Sequence, residues 1–173
     1  MNPPPIVDRQ LATDGESLPQ QAELEAWVAA VLAQFPGETR HEVTIRFVDS
    51  EEGRALNRDY RGYDKTTNVL SFPFEGPPGV ALPLLGDLVL CHPVVANEAR
   101  EQAKRLQDHY AHLVVHGMLH LLGHDHIEEA EAEEMEALER EILAQFAIAD
   151  PYLPAANARE RQDQSKGMGR NDE

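Results

Sequence analysis

Two histidines, His116 and His120, stand four residues apart. On an α-helix that spacing stacks both imidazoles on one face, one turn apart, close enough to hold one ion. Gly123 follows three residues later and His126 three after that. A glycine can take the left-handed conformation that ends a helix, so the chain can turn back and bring His126 to the same ion. Three neutral imidazoles at ~2.0–2.1 Å, with a fourth position open to water, describe a catalytic zinc site; structural zinc sites are closed, usually by cysteines. This chain has one cysteine, Cys91. Zinc, one per chain, is the expected ion, although three imidazoles also accept nickel, copper or iron. A helix of buried or surface histidines would account for the pair alone. It gives no reason for a helix-ending glycine between the second and third.

The spacing matches the metzincin pattern H-E-x-x-H-x-x-G-x-x-H, with Gly117 where that pattern has glutamate. In zinc proteases that glutamate is the general base on the metal-bound water. Three classes of function fit this cradle: a metal-dependent hydrolase of a phosphodiester, a metallopeptidase weakened by Gly117, and a binding factor in which the metal only fixes the structure. Zinc would lower the pKa of its bound water towards ~7. A phosphodiester gathers charge on its non-bridging oxygens in the transition state, which a guanidinium fork suits better than an ammonium.

The elements that must position these groups are legible in outline. A short strand is expected around Ile6 and Val7. Leu24, Trp27, Val28, Val31, Leu32 and Phe35 recur at helical spacing, which predicts a helix from about Leu18 to Phe35 with Ser17 as N-cap and Pro36-Gly37 as stop. Val43, Ile45 and Phe47 alternate with polar residues as in a half-buried strand. Asp49 and Glu52 carry a capping signature for the next helix, which sets Arg54, Arg58 and Arg61 on one side. A row of arginines is also what a solvated face looks like; Arg61, just before Gly62, sits where it can project elsewhere. Asn68 to Phe74 reads as a strand whose Pro73 implies an edge or bulge, and Glu75 to Gly79 as a loop. Leu84 to Cys91 reads as another strand, with Gly86-Asp87 a bulge or a close backbone approach.

Pro93 is expected to open one long helix carrying the histidines, with an apolar stripe through Ala99, Ala103, Leu106, Tyr110, Leu113, Gly117 and Leu121. Gly117 leaves room for a neighbour to pack closely. His109 and His112 are read as surface residues or as lying just outside the ligand set. A last helix, about Glu129 to Phe146, has Met135, Leu138, Ile142 and Phe146 on one face and glutamates on the rest. That acid is either a solvated face or a dock for a basic partner, which the family resemblance below would make a ribosomal protein.

One domain over residues 1–150 and a disordered tail over 151–173 are expected from the length of 173 residues and the polar, aperiodic end. The net charge of −16 argues against a general positive field for nucleic acid, and no DNA partner is expected. The local basic patch of Arg54, Arg58, Arg61 and Lys65 implies a focused contact instead. A lone cysteine, no signal-peptide pattern and no run of about 20 apolar residues imply a soluble, cytoplasmic protein without a membrane partner.

The run His116-Gly-Met-Leu-His-Leu-Leu-Gly-His-Asp-His126 resembles the signature of the YbeY family of endoribonucleases. Leu56 to Phe72 and Leu85 to Leu90 resemble two further motifs, and the likeness runs from about Val43 to Phe146. The family usually carries Asp where this chain has Asn68. The resemblance implies a zinc-dependent endoribonuclease specific for single strands, acting in rRNA maturation (the 16S rRNA 3′ end) and ribosome quality control. Its partners would be rRNA and the ribosome or small-subunit proteins. It implies His116, His120 and His126 as metal ligands and Arg61 as the catalytic cation. Arg58 and Ser71, in the second motif, are candidates for contacting substrate. Asp125 either orients an imidazole or caps the turn after Gly123, and His124 is exposed or functional. The attacking group is either the metal hydroxide or the RNA 2′-hydroxyl. The element order reads as α+β, and similarity to zincin-like folds implies a small mixed sheet packed by helices with the metal helix at its centre.

Overall fold

The computed structural model describes residues 3–124 and 129–152. Its elements run β1 (Ile6–Ala12), α1 (Gln21–Leu32), β2 (Glu42–Val48), α2 (Ser50–Arg61), β3 (Val69–Pro73), β4 (Leu84–Cys91), α3 (His92–Glu101), α4 (Leu106–Leu121) and α5 (Glu129–Ala144). The strands form one sheet in the order β1-β2-β4-β3. β1, β2 and β4 are parallel, and β3 joins β4 antiparallel at the edge. The fold is therefore a mixed α+β sheet packed by helices. β1 is longer than the short strand expected, because its whole length pairs with β2.

Alternation along the strands sends side chains to two faces. Val43, Ile45 and Phe47 bury into the main core with residues of α1, α4 and α5. Val48, Leu70, Val89 and Cys91 face the other way and pack with Leu56 of α2 and Val94 of α3. Tyr110 of α4, fully buried, meets Phe47 edge-on at 5.5 Å between centroids. The histidine-bearing helix α4 touches α1, α3, α5, β3 and β4, which makes it the central helix.

At Gly86 the β2–β4 register slips, and the backbone takes φ 142°. A Cβ there would sit 2.3 Å from the Phe72 carbonyl oxygen. The bulge and the close approach are one feature, and only glycine allows it.

Three local expectations fail for physical reasons. Helix α1 begins at Gln21, not near Leu18, and Ser17 has φ 65° rather than an N-cap conformation. Pro19 holds the preceding residue extended, and the Gln20 N–H donates to the Glu23 carboxylate at 2.9 Å, so the cap falls three residues later. Asp49 is the N-cap of α2, but its carboxylate accepts the Thr13 hydroxyl instead of capping, and Glu52 takes Arg46 at 2.7 Å. The single long helix is two, broken at Gln102–Arg105 with Ala103 at φ 56°. On a straight helix Glu98 and His109 would be about 16 Å apart along the axis. The turn brings Glu98 Oε1 within 2.9 Å of His109 Nε2.

Candidate metal centre and its surroundings

Helix α4 ends as the sequence implies. Gly123, at φ 98°, donates to His120 O at 3.0 Å, and the His124 N–H donates to Leu119 O at 2.9 Å. This is the paired closure of a Schellman turn. Asp125 and His126, and the tail from residue 153, lie outside the described residues. His124 packs its ring on Phe35, 5.3 Å between centroids.

Gly117 lies against the sheet: a Cβ there would be 2.8 Å from Leu88 Cδ2 and 3.3 Å from Ser71 Oγ. This close approach sets His116 and His120 beside β3, both half-buried. Their Nε2 atoms face each other at 3.1 Å. Two ligands of one tetrahedral ion at ~2.05 Å each would be separated by about 3.3 Å. The donor atoms thus already stand at nearly the spacing a shared ion requires.

Behind this pair lies a carboxylate that the sequence reading missed. Glu139 of α5, with no exposed side-chain surface, accepts the His116 Nδ1–H at 2.6 Å. Its other oxygen accepts the Tyr152 hydroxyl, and His112 Nε2 lies 3.5 Å from that same oxygen. Burial by itself would raise the Glu139 carboxyl, but hydrogen bonds from His112 and His116 outweigh it and hold the group well below the usual carboxylate range. With the His116 proton fixed on Nδ1, its Nε2 presents a lone pair towards His120. Such carboxylate–histidine pairs set tautomer and ring orientation in metal sites.

His109 and His112 are buried, not on the surface. Burial pushes His112 below the ordinary imidazole value in spite of Glu139, so it is neutral there. Its Nδ1 has no partner among the described residues. His112, His116 and Glu139 bring ligand atoms within 4.8 Å of one another and form a cluster able to hold a metal. It is a closed cluster, because Glu139 is wholly buried and already accepts hydrogen bonds on both oxygens.

Ser71 directs its hydroxyl to Gly117 O at 3.5 Å, at the outer limit of a hydrogen bond. Its neighbour Phe72 points to the other face of β3, where the Tyr60 ring packs on it edge-on at 5.4 Å. The end of α2 and the histidine pair therefore flank one edge strand from opposite faces. Arg61, at that end, is followed by Gly62 at φ 80° and lies with its guanidinium carbon 6.0 Å from the Tyr63 ring centre. Arg58 pairs with Asp59 at 3.0 Å and Arg54 with Asp64 at 2.7 Å, both largely exposed. Asn68 is buried: its amide donates to Glu98 Oε1 at 3.1 Å, and its carbonyl oxygen accepts the Val69 N–H. An aspartate there would oppose Glu98 with a second carboxylate.

The profile of the Endoribonuclease YbeY family matches residues 10–147. The chain belongs to the YbeY family. Endoribonuclease YbeY of Chromohalobacter salexigens is 67% identical over 150 residues, covering 86% of this chain and 97% of that protein. Endoribonuclease YbeY of Alteromonas mediterranea is 57% identical over 152 residues, covering 85% and 96%. The solution structure of TM1509 from Thermotoga maritima superposes with a TM-score of 0.54 at 23% identity, over 80% of this chain and 91% of that one. That last likeness concerns the fold. No helix among the described residues is long and apolar enough to cross a membrane.

Proposed function

We propose that this chain is a metal-dependent endoribonuclease that cuts single-stranded RNA at the His116–His120 edge of β3. The activity is what the names of the YbeY relatives carry. The observation that supports a catalytic ion here is the 3.1 Å approach of the two Nε2 atoms, with His116 Nδ1 held by a buried carboxylate. His116 and His120 would hold the ion, with His126 as third ligand. Zinc so bound would supply a Lewis acid and lower the pKa of bound water, the attacking group being either that hydroxide or the RNA 2′-hydroxyl.

The chain's own residues do the rest. Glu139 keeps the His116 proton on the nitrogen that faces away from the ion. Arg61 has no ion-pair partner among the described residues and stands at the end of α2 beside the exposed Tyr63 ring. It is the catalytic cation that meets charge developing on the non-bridging phosphate oxygens. Arg58 and Ser71 are secondary: Arg58 is paired to Asp59, and Ser71 faces the Gly117 carbonyl. Gly117 puts no general base beside the ion, which disfavours peptides. A role in rRNA maturation at the 16S rRNA 3′ end and in ribosome quality control, in the cytoplasm, belongs to the same proposal. The closed His112–His116–Glu139 set supports a second reading, a ribosome-binding factor with a structural ion.

The test is the metal-loaded protein incubated with labelled single-stranded RNA and, separately, with a peptide library. RNA cleavage lost in His116→Ala is the expected result. Metal-dependent peptide hydrolysis lost in the same variant would overturn it.

A further inference from the structure

Of the four cations on and after α2, two are neutralised locally. Arg54 donates to Asp64 at 2.7 Å, and Arg58 to Asp59 at 3.0 Å. Arg61 and Lys65 have no carboxylate partner among the described residues. Both stand instead over one ring, that of Tyr63, at 6.0 Å and 5.7 Å from its centre. Tyr63 is 55% exposed and lies in the segment between α2 and β3. Tyr60, also exposed, has its ring seated on Phe72. Tyr63 has no aromatic neighbour of that kind among the described residues.

We propose that Tyr63 is a stacking platform for one unpaired base, with Arg61 and Lys65 taking the phosphates on either side of that nucleotide. The inference rests on the single-stranded RNA reading above and names what selects the single strand. Magnitudes favour exchange of the ring's present neighbours for a base. Two exposed cations over an aromatic ring are together worth about 5- to 30-fold in an equilibrium, and they regain that attraction on the phosphates of an incoming strand. A base stacked on an aromatic side chain is worth about 5- to 150-fold. An arriving base therefore displaces the two flexible cations from the ring, and they move to the phosphates that arrive with it. A base inside a duplex is stacked and paired and offers no free face, so the platform discriminates against A-form helices. The chain's acidic balance of −16 fits a contact confined to a few groups.

The test uses the full-length protein and 2′-O-methyl single-stranded oligonucleotides, which bind without being cut. One oligonucleotide is intact, and the others carry a single abasic residue stepped along the strand. Tyr63→Leu should weaken binding of the intact strand about 5- to 150-fold, and Tyr63→Phe should stay within about twofold. One abasic position should reproduce that loss in the wild type and add none in Tyr63→Leu. The salt dependence should be unchanged in Tyr63→Leu and fall by about one unit of slope in Lys65→Gln. Equal binding by Tyr63→Leu and wild type, or identical abasic profiles in both, would overturn the platform. Cleavage of the unmodified strand by the wild type is measured alongside. If cleavage occurs and Tyr63→Leu binds normally, only the platform falls. If the wild type neither binds nor cuts single-stranded RNA, the endoribonuclease reading falls, and the platform with it.

Discussion

Replacing Glu139 with glutamine should loosen the metal before it loosens the fold. The substitution keeps volume and shape but removes the charge, and it turns one acceptor oxygen into an N–H donor. In the native site one oxygen accepts the His116 Nδ1–H at 2.6 Å, and the other accepts the Tyr152 hydroxyl and faces His112. The amide can accept on one side only. If it keeps Tyr152, its NH2 confronts His116, whose proton then moves to Nε2 and blocks the lone pair that faces His120. Loss of such a supporting carboxylate typically lowers metal affinity 10–100-fold, or about 1.4–2.7 kcal/mol. Weakening charged hydrogen bonds and leaving a buried donor imperfectly paired costs about 2–4 kcal/mol of stability. Glu139→Ala adds a cavity and should lose more of both. The assay is competition for zinc against a chromophoric chelator at pH 7.5, with thermal melts of the metal-free protein beside it. Wild-type zinc affinity in folded Glu139→Gln would refute the idea that Glu139 sets the His116 tautomer.

Arg61→Ala should slow single-turnover cleavage roughly 10²–10³-fold at saturating enzyme, whereas Arg54→Ala, already paired to Asp64, should change it little. His112 is depressed by burial, so the unfolded chain binds its proton first as pH falls. Metal-free stability should then be full above the ordinary imidazole pKa of about 6.5 and decline below it. Urea titrations at stepped pH should show that decline flattened in His112→Gln. Gly86→Ala forces a Cβ to within 2.3 Å of the Phe72 carbonyl oxygen at φ 142°, and should lower stability by about 3 kcal/mol or more, read as a fall in Tm.

Features whose cause is local were legible in the sequence. The spacing of His116 and His120, the turn at Gly123, the close approach at Gly117 and the bulge at Gly86 each follow from a residue type at a fixed offset. Glu139 does not stand out by residue type from the exposed glutamates around it in α5. Yet it falls at i+4 from Met135 and three before Ile142, inside the apolar stripe, and a carboxylate there needs a buried partner. Tyr152 reaches the site from beyond α5, where no periodicity points to it. The break between α3 and α4 was hidden because neither glycine nor proline marks it. Tertiary pairing of Glu98 with His109 accompanies the turn, and Ala103 takes a conformation that its type alone does not favour. The buried state of His109 and His112 follows from the same folding back.

The central claim is that one ion at the His116–His120 pair cuts RNA. Its most direct test is a titration of zinc into metal-free protein, with bound metal and single-strand cleavage followed in the same samples. The account predicts that cleavage rises linearly to one equivalent and stops, and that His120→Ala, folded as judged by its circular dichroism, neither binds that equivalent nor cuts. Full-rate cleavage by the metal-free protein, or full occupancy and cleavage in His120→Ala, would contradict it.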